Sequence, residues 1–561
     1  MKNLLKFLIL ILTPIVIVFW IVSTHKDINK NAPVADQIKL EKENIPVDHS
    51  KFVELQQEFA TPQDVTKACL KCHNNVDKQL MMNEHWKWLK DDTIPGRGHV
   101  QLGKKNILNN FCIGSASNEK LCAMCHAGYG FNDKDFDLSK TENMDCIVCH
   151  DNTGTYHKAN VCSDPSQAGF GYPPANTDLS NIALHVGLPK NHNCGSCHYF
   201  GGGGNNVKHG DLEMAQNECT RDIDVHMASK NGGPGLQCID CHKTKEHNIP
   251  GNLAMMSASP SNSFNCTECH TDKPHKNKIL NRHYKQVACQ TCHIPTYAKG
   301  YPTKMYWSWG DAGRLDSAKM NTPSGGLLHY EKEIHKDSIL NYIGDASYMH
   351  NITGDSVIYE YDSRHAAAIL VKNAKPDYMW YNGYTDHHFL EDPIKTDTVI
   401  LDSLMGSYSD NLNPMDPKHP SKIYPVKTMR GDQIYDTESH TLINPKLVGP
   451  KGSGGYWNDF NWDSSATKGM GYLGKKYSGH YGFIQTKSYW PLNHEVAPAE
   501  EALSCEECHS PNGRLQNLTG FYMPGRDHNS LIDWFGILAI LGALFGVLVH
   551  GTLRMKGQKN N

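Results

Sequence analysis

A chain of 561 residues with 39% hydrophobic residues, 47 glycines and 28 prolines is long, yet short of the side chains that build a large core. Its formal net charge of -4 excludes the basic excess of a nucleic-acid binder, so no nucleic-acid partner is expected. The unusual content is 19 cysteines and 32 histidines.

In chain order, residues 1–25 hold an apolar run from Leu4 to Val22, preceded by Lys2 and Lys6. The run is long enough to cross a bilayer and lacks a small-x-small cleavage site, which predicts an uncleaved signal anchor. Residues 26–60 are polar and charged and read as a periplasmic tether. Within 61–293 the pattern Cys-x-x-Cys-His occurs seven times, with starts 23 to 53 residues apart. These copies are Cys69, Cys72, His73; Cys122, Cys125, His126; Cys146, Cys149, His150; Cys194, Cys197, His198; Cys238, Cys241, His242; Cys266, Cys269, His270; and Cys289, Cys292, His293. The eighth copy, Cys505, Cys508, His509, starts 216 residues after the seventh, inside 505–525. Two cysteines at this spacing form thioethers to the haem vinyl groups, and the next histidine reaches the iron. Zinc sites also use paired cysteines, but they do not require a histidine after every pair. Eight covalently bound c-type haems are therefore expected, with their apolar bulk completing the core.

Residues 294–504 contain no cysteine and are rich in glycine and aromatic residues, such as Tyr301, Tyr306, Trp307, Trp309, Tyr381 and Tyr384. Alternation in Asp355–Tyr361 suggests short strands, and the region is read as a wrap around the haem array. Helices are expected at 61–90 and at 497–512, where Pro498, Glu500 and Glu501 suit a helix start. Residues 530–552, apolar from Leu531 to Val549, read as a second membrane helix, followed by a basic cytoplasmic tail at 553–561. Gly542 and Gly546 form a Gly-x-x-x-Gly pair there, and His550 lies near its inner end. The expected fold is mainly α with extensive irregular structure, built around eight haems and flanked by two transmembrane helices. The expected location is the cytoplasmic membrane, with the haem domain in the periplasm.

Each motif histidine supplies one axial ligand, and twenty-four further histidines compete for the distal positions. The distal candidates are His85, His185, His192, His209, His226, His247, His275, His283 and His494, all close to motifs. Bis-histidine haems only carry electrons, so catalysis needs an iron with a displaceable ligand.

The stretches Val65–His73, His85-Trp-Lys-Trp88, Asn109–Gly114, Cys149–Tyr156, His226–Cys238 and His494-Glu-Val-Ala-Pro resemble the octahaem tetrathionate reductase family, over about residues 49–525. The resemblance implies seven bis-histidine haems and one lysine-ligated catalytic haem at the second motif, with His126 proximal. The lysine would follow the third motif, where this chain reads Gly154-Thr-Tyr-His157-Lys158. Lys158 is the expected distal ligand, with His157 as the alternative that would close the site. Cys112 would be the free active-site thiol, able to attack a sulfur–sulfur bond, leaving Cys162 and Cys219 to pair. The implied activity is periplasmic reduction of tetrathionate, nitrite or hydroxylamine, with Lys158, Cys112 and His126 catalytic. Electrons would come from a quinol-linked membrane cytochrome or another cytochrome. The alternatives are a closed electron conduit and a hydroxylamine oxidoreductase or nitrite reductase, the oxidoreductase with Tyr522 as a cross-linking tyrosine.

Overall fold

The computed structural model describes residues 47–108, 114–158, 171–250, 264–322, 325–335, 338 and 354–557. The N-terminal apolar segment, most of the tether, Cys112 and Cys162 lie outside the described residues.

The first half of the chain is held in short turns. Helix α1, Pro62–Cys72, starts on a Thr61 cap reciprocated by Asp64, with Pro62 in its first turn. Shorter helices follow at Val76–Met81 and Glu84–Lys87, so the stretch expected as one helical region is broken into three. Strands β1 (Lys90–Ile94) and β2 (Gly98–Leu102) form a hairpin. Helix α2, Asn191–His198, carries the fourth motif, and the other motifs downstream of α1 sit on one-turn helical segments. A recurrent backbone bond makes these turns. The motif histidine N–H donates to the first cysteine carbonyl in His73, His126, His150, His242, His270 and His509, at 2.8 to 3.2 Å. One helical turn thus brings the cysteines and the histidine to one side.

The second half corrects the expectation of a mainly α protein. It forms a ten-stranded mixed sheet from β3 (Thr303–Ser308), β4 (His329–Ile334), β5 (Ser356–Asp362), β6 (Ala366–Lys372), β7 (Asp377–Tyr381), β8 (Thr385–His387), β9 (Thr398–Leu404), β10 (Lys422–Asp436), β11 (Thr441–Leu442) and β12 (Tyr481–Pro491). The main path runs β4-β5-β6-β3-β10-β12-β9-β8, with β7 and β11 also paired to β10. The fold is therefore mixed α/β. The sheet escapes sequence reading because β3, β6 and β10 are buried along nearly their whole length and show no period-two alternation.

Strand β10 organises this half. It pairs antiparallel with β12 from Val426↔Pro491 to Asp436↔Tyr481, and parallel with β3 at Arg430–Asp432. Two apolar clusters flank it, one with Trp307, Met429, Leu442 and Trp490, the other with Tyr297, Tyr306, Tyr361 and Ile369. Lys427 from the same strand points into the protein and donates to Val207 O at 3.1 Å, Lys208 O at 2.7 Å and Thr303 Oγ1 at 2.5 Å. Three acceptors satisfy that buried amine and tie the sheet to the motif-bearing half. At Gly431 a side chain has no room, since a Cβ would lie 2.5 Å from Trp307 O. Gly431→Val is expected to cost ~1–3 kcal/mol through overpacking, read as a lower urea midpoint; an unchanged midpoint would contradict this close approach of β3 and β10.

Helix α3, Trp462–Tyr472, packs Ala466 and Met470 onto the first cluster. Only a 3-10 turn, Ala499–Glu501, and the one-turn Cys505–Cys508 form where a helix over 497–512 is expected. Helix α4, Ser530–Gly557, includes a span Asp533–Lys556 of 24 residues with mean hydropathy 2.1 and no burial against the rest of the chain. Among the described residues it is the one helix long and apolar enough to cross a membrane, which corrects the expected pair.

Candidate haem array and its second centre

All sixteen motif cysteines line one continuous cavity of about 5050 Å³. A small-ligand pocket holds ~300–1,000 Å³, so this space suits a row of large groups. Seven motif histidines also face it, each opposite a second histidine ring. The pairs are His73 with His49 at 6.2 Å between ring centroids, His150 with His247 at 6.3 Å, and His198 with His85 at 6.1 Å. His242 faces His494 at 6.4 Å, His270 faces His226 at 6.1 Å, His293 faces His275 at 6.1 Å, and His509 faces His283 at 6.0 Å. Two metal–nitrogen bonds of ~2 Å each plus the two ring radii need about this separation. The donor set therefore fits haem iron between paired imidazoles.

Neighbouring groups prepare these rings. The Nδ1 atoms of His150, His242 and His509 lie 2.8 to 2.9 Å from the carbonyls of Gly187, Pro250 and Pro524. On the opposite side, His283 Nδ1 meets Ile279 O at 3.0 Å, His247 Nδ1 meets Gln79 Oε1 at 2.9 Å, and His494 Nδ1 meets Asp211 Oδ2 at 3.2 Å. Such contacts orient the ring and leave Nε2 free for a metal. Burial pushes His198 down to about 3 and His293 to about 4, so both rings stay neutral, the form that binds metal.

Contacts between attachment cysteines order the array. Cys69 interacts with Cys146, Cys125 with Cys197, Cys194 with Cys238, and Cys266 with Cys289. Cys149 lies within electrostatic range of Cys194, Cys241 of Cys269, and Cys292 of Cys508. Motifs one, three, four, five, six, seven and eight thus follow one another, and the second motif touches the fourth as a branch.

The second motif differs from the other seven. His126 is buried, stacked on Phe131 at 4.2 Å and surrounded by Trp86, Trp88 and Phe136. No second histidine ring faces it among the described residues. The His126 Nε2 lies 2.8 Å from Trp86 O, and Lys158 meets this motif through the motif's backbone carbonyls. The Lys158 Nζ donates to Ala123 O at 3.2 Å, to Gly128 O at 3.0 Å and to His126 O, and it pairs with Asp145 Oδ2 at 3.3 Å. Both side chains of that pair are essentially inaccessible. Asp145 also accepts from Tyr129 at 2.9 Å and Tyr156 at 2.8 Å. His157 is exposed beside Lys158, with Nδ1 3.3 Å from Thr155 O.

Of the other sequence candidates, His185 is exposed and meets Asn181 O at 2.7 Å, and His192 meets Asp151 O at 3.3 Å. His209 is half-buried, edge-on to Trp490 at 5.2 Å. His49 was outside the candidate set because it precedes the first motif. Its one local signal is the Asp48 cap that starts a short turn there. Cys219 is buried, with its thiol 3.8 Å from Asp224 O, and its expected partner Cys162 lies outside the described residues. Tyr522 is 49% exposed.

Residues 304–512 match the family described as bacterial cytochrome c. The octahaem cytochrome c of Shewanella oneidensis superposes with a TM-score of 0.68 at 37% identity, covering 84% of this chain and 96% of that one. An uncharacterised protein of Archaeoglobus fulgidus is 25% identical over 252 residues, 37% of this chain and 81% of its own length. The chain belongs to the family of the Shewanella octahaem cytochrome c, a haem c-binding family of electron-transfer proteins.

Proposed function

We propose that this protein is a membrane-anchored periplasmic reductase carrying eight covalent c-type haems, with the centre at His126 as its catalytic site and tetrathionate as its substrate. One observation carries the reading: seven motif histidines face a histidine partner, whereas His126 faces none among the described residues and buried Lys158 sits beside its motif, bonded to the His126 backbone carbonyl and paired with Asp145. Haem supplies electron transfer where both faces carry imidazole, and a substrate-accessible position where the distal donor is weaker.

The chain's own residues then divide the work. The paired histidines would hold seven centres closed. Lys158 is kept beside the second motif by Asp145 and three carbonyls, and its compact, flexible amine would be a weaker distal donor than an imidazole. Cys112 precedes the second motif closely in sequence and is the thiol proposed to meet the sulfur–sulfur bond. Two electrons split tetrathionate into two thiosulfates. Nitrite and hydroxylamine are the competing substrates. Residues 1–25 and 530–552 are the proposed flanking segments of the exported part, and α4 is the proposed anchor. The electron donor is a quinol-linked membrane cytochrome.

Turnover of tetrathionate, nitrite and hydroxylamine by one viologen-reduced preparation tests the substrate. Tetrathionate should be fastest, and faster nitrite turnover would overturn the assignment. Asp211→Asn gives a separate check on the array. Without the carboxylate on His494 Nδ1, ligand basicity falls and one haem potential should rise, by up to about 60 mV for a tenfold change in relative affinity. An unchanged redox titration would contradict the role given to Asp211.

A further inference from the structure

We propose that the eighth motif is the docking port for the membrane-embedded, quinol-oxidising donor, held at the bilayer by the segment that links His509 to α4. This rests on the reductase reading above and adds which end of the array meets the partner.

The link is short and fixed. His509 Nδ1 meets Pro524 O at 2.9 Å, and α4 begins at Ser530. Six residues span at most about 20 Å, so the proximal ligand of this centre cannot move far from the start of the membrane helix. Arg526 bolts the intervening loop. It donates to Leu515 O at 2.9 Å, Phe521 O at 3.0 Å and Asp527 Oδ1 at 2.7 Å, and its guanidinium lies 4.9 Å from the Phe521 ring. Gly525 closes against the backbone of His509, where a Cβ would lie 2.5 Å from His509 O. The first motif, at the other end of the array, has no comparable short link to α4.

The surface around the eighth motif also has the character of a docking face. Leu412 is 64% exposed, Ile279 53% and Tyr522 49%. Leu412 and Tyr522 line the cavity that His283 and His509 also line. The helix Lys278–His283, which brings His283 to His509, has exposed Lys276, Lys278, Arg282 and Lys285 on or beside it. Asn411 ties the Leu412 turn to this helix by donating to Lys285 O at 2.8 Å. An apolar centre with a rim of mixed charge, these basic residues together with exposed Glu500, Glu501, Glu506 and Glu507 at the motif, suits a protein partner of complementary mixed charge around a buried redox group. Continuity with α4 makes that partner a membrane protein.

The test follows haem absorbance in membrane vesicles after addition of a reduced quinol. Leu412→Glu, and separately a ten-residue Gly-Ser insertion between Asn529 and Ser530, should each slow quinol-driven reduction by about tenfold. Val53→Glu, on the surface near the first motif, should leave it unchanged. Dithionite-driven reduction and the haem spectrum report that all three variants are folded and loaded. Slowing by Val53→Glu without slowing by Leu412→Glu would move the port to the first motif and overturn the proposal, as would wild-type rates in both eighth-motif variants. If viologen-driven tetrathionate turnover is absent while the quinol result holds, the substrate reading fails and the port stands.

Discussion

Replacing Lys158 with histidine is expected to lower tetrathionate turnover by at least about a hundredfold, equivalent to ~2.7 kcal/mol of lost transition-state stabilisation. An imidazole at this position would make the second centre resemble the other seven, with both faces occupied, and any high-spin haem signal should disappear. Electron uptake by the rest of the array should stay near wild type, because the second motif meets the fourth as a branch, through Cys125 and Cys197. Lys158→Met separates ligation from charge. It would empty the proposed distal position and leave Asp145 buried without its cation, a change that costs ~3–5 kcal/mol when nothing else compensates. Here Tyr129, Tyr156 and the Val148 N–H still donate to that carboxylate, so the lower end is expected. Thermal unfolding would register this cost, while the high-spin signal should persist. Full activity in Lys158→His with unchanged spectra would place the catalytic centre elsewhere. Loss of activity in His157→Ala alone would transfer the ligand role to the exposed neighbour.

What the sequence discloses about this protein follows the range of each interaction. The motif turns are legible because Cys-x-x-Cys-His keeps three residues within five positions, and one backbone bond completes the turn. The ring pairs are different. His85, His226, His247, His275, His283 and His494 are all among the expected rings, but the motif each one meets, such as His242 for His494 and His509 for His283, is set by the path of the chain, and His49 is missed. The sheet is hidden for another reason. The run Lys427-Thr-Met-Arg-Gly-Asp-Gln433 looks like a polar loop, yet it is the buried middle of β10. Its polar groups find partners inside: Lys427 on three oxygens, Asp432 on Ser308 Oγ and Gly310 N at 2.9 Å each, and Thr428 on Asp377 Oδ2 at 2.6 Å. Hydrophobic patterning cannot reveal a strand whose interior is satisfied by hydrogen bonds. Residues 355–361, where alternation survives, are the stretch in which a strand was visible, as β5.

The second large effect concerns the protein without haem. Expressed without thioether attachment, residues 61–293 are expected to lose their structure while the sheet region persists. Helices in that half are mostly four to eight residues long, and even α1 has eleven. Isolated helices shorter than ~12–15 residues are marginal in water, and ordering each residue costs ~1–2 kcal/mol of backbone entropy. The apolar clusters there are small: one around Val65, Ile147 and Ile182, one around Ile94 and Leu102, and one around Trp88 and Phe131. They border a cavity of about 5050 Å³ that side chains do not fill. The sheet, by contrast, keeps two large clusters and the eleven-residue pairing of β10 with β12, and meets motif cysteines at the Ile423 end of β10, which packs with Cys292 and Cys508. Limited proteolysis should therefore cut rapidly between residues 61 and 293 and leave a resistant fragment spanning about 303–491. The expected far-UV spectrum keeps its strand component, and thermal unfolding should show one small transition in place of the larger one of the loaded protein. Equal cleavage of both halves would mean that the Lys427 anchor and the contacts of Leu108 and Val207 with the first cluster make the sheet depend on the array. Resistance of residues 61–293 would mean that the short turns hold one another without haem, against the physical argument from their length.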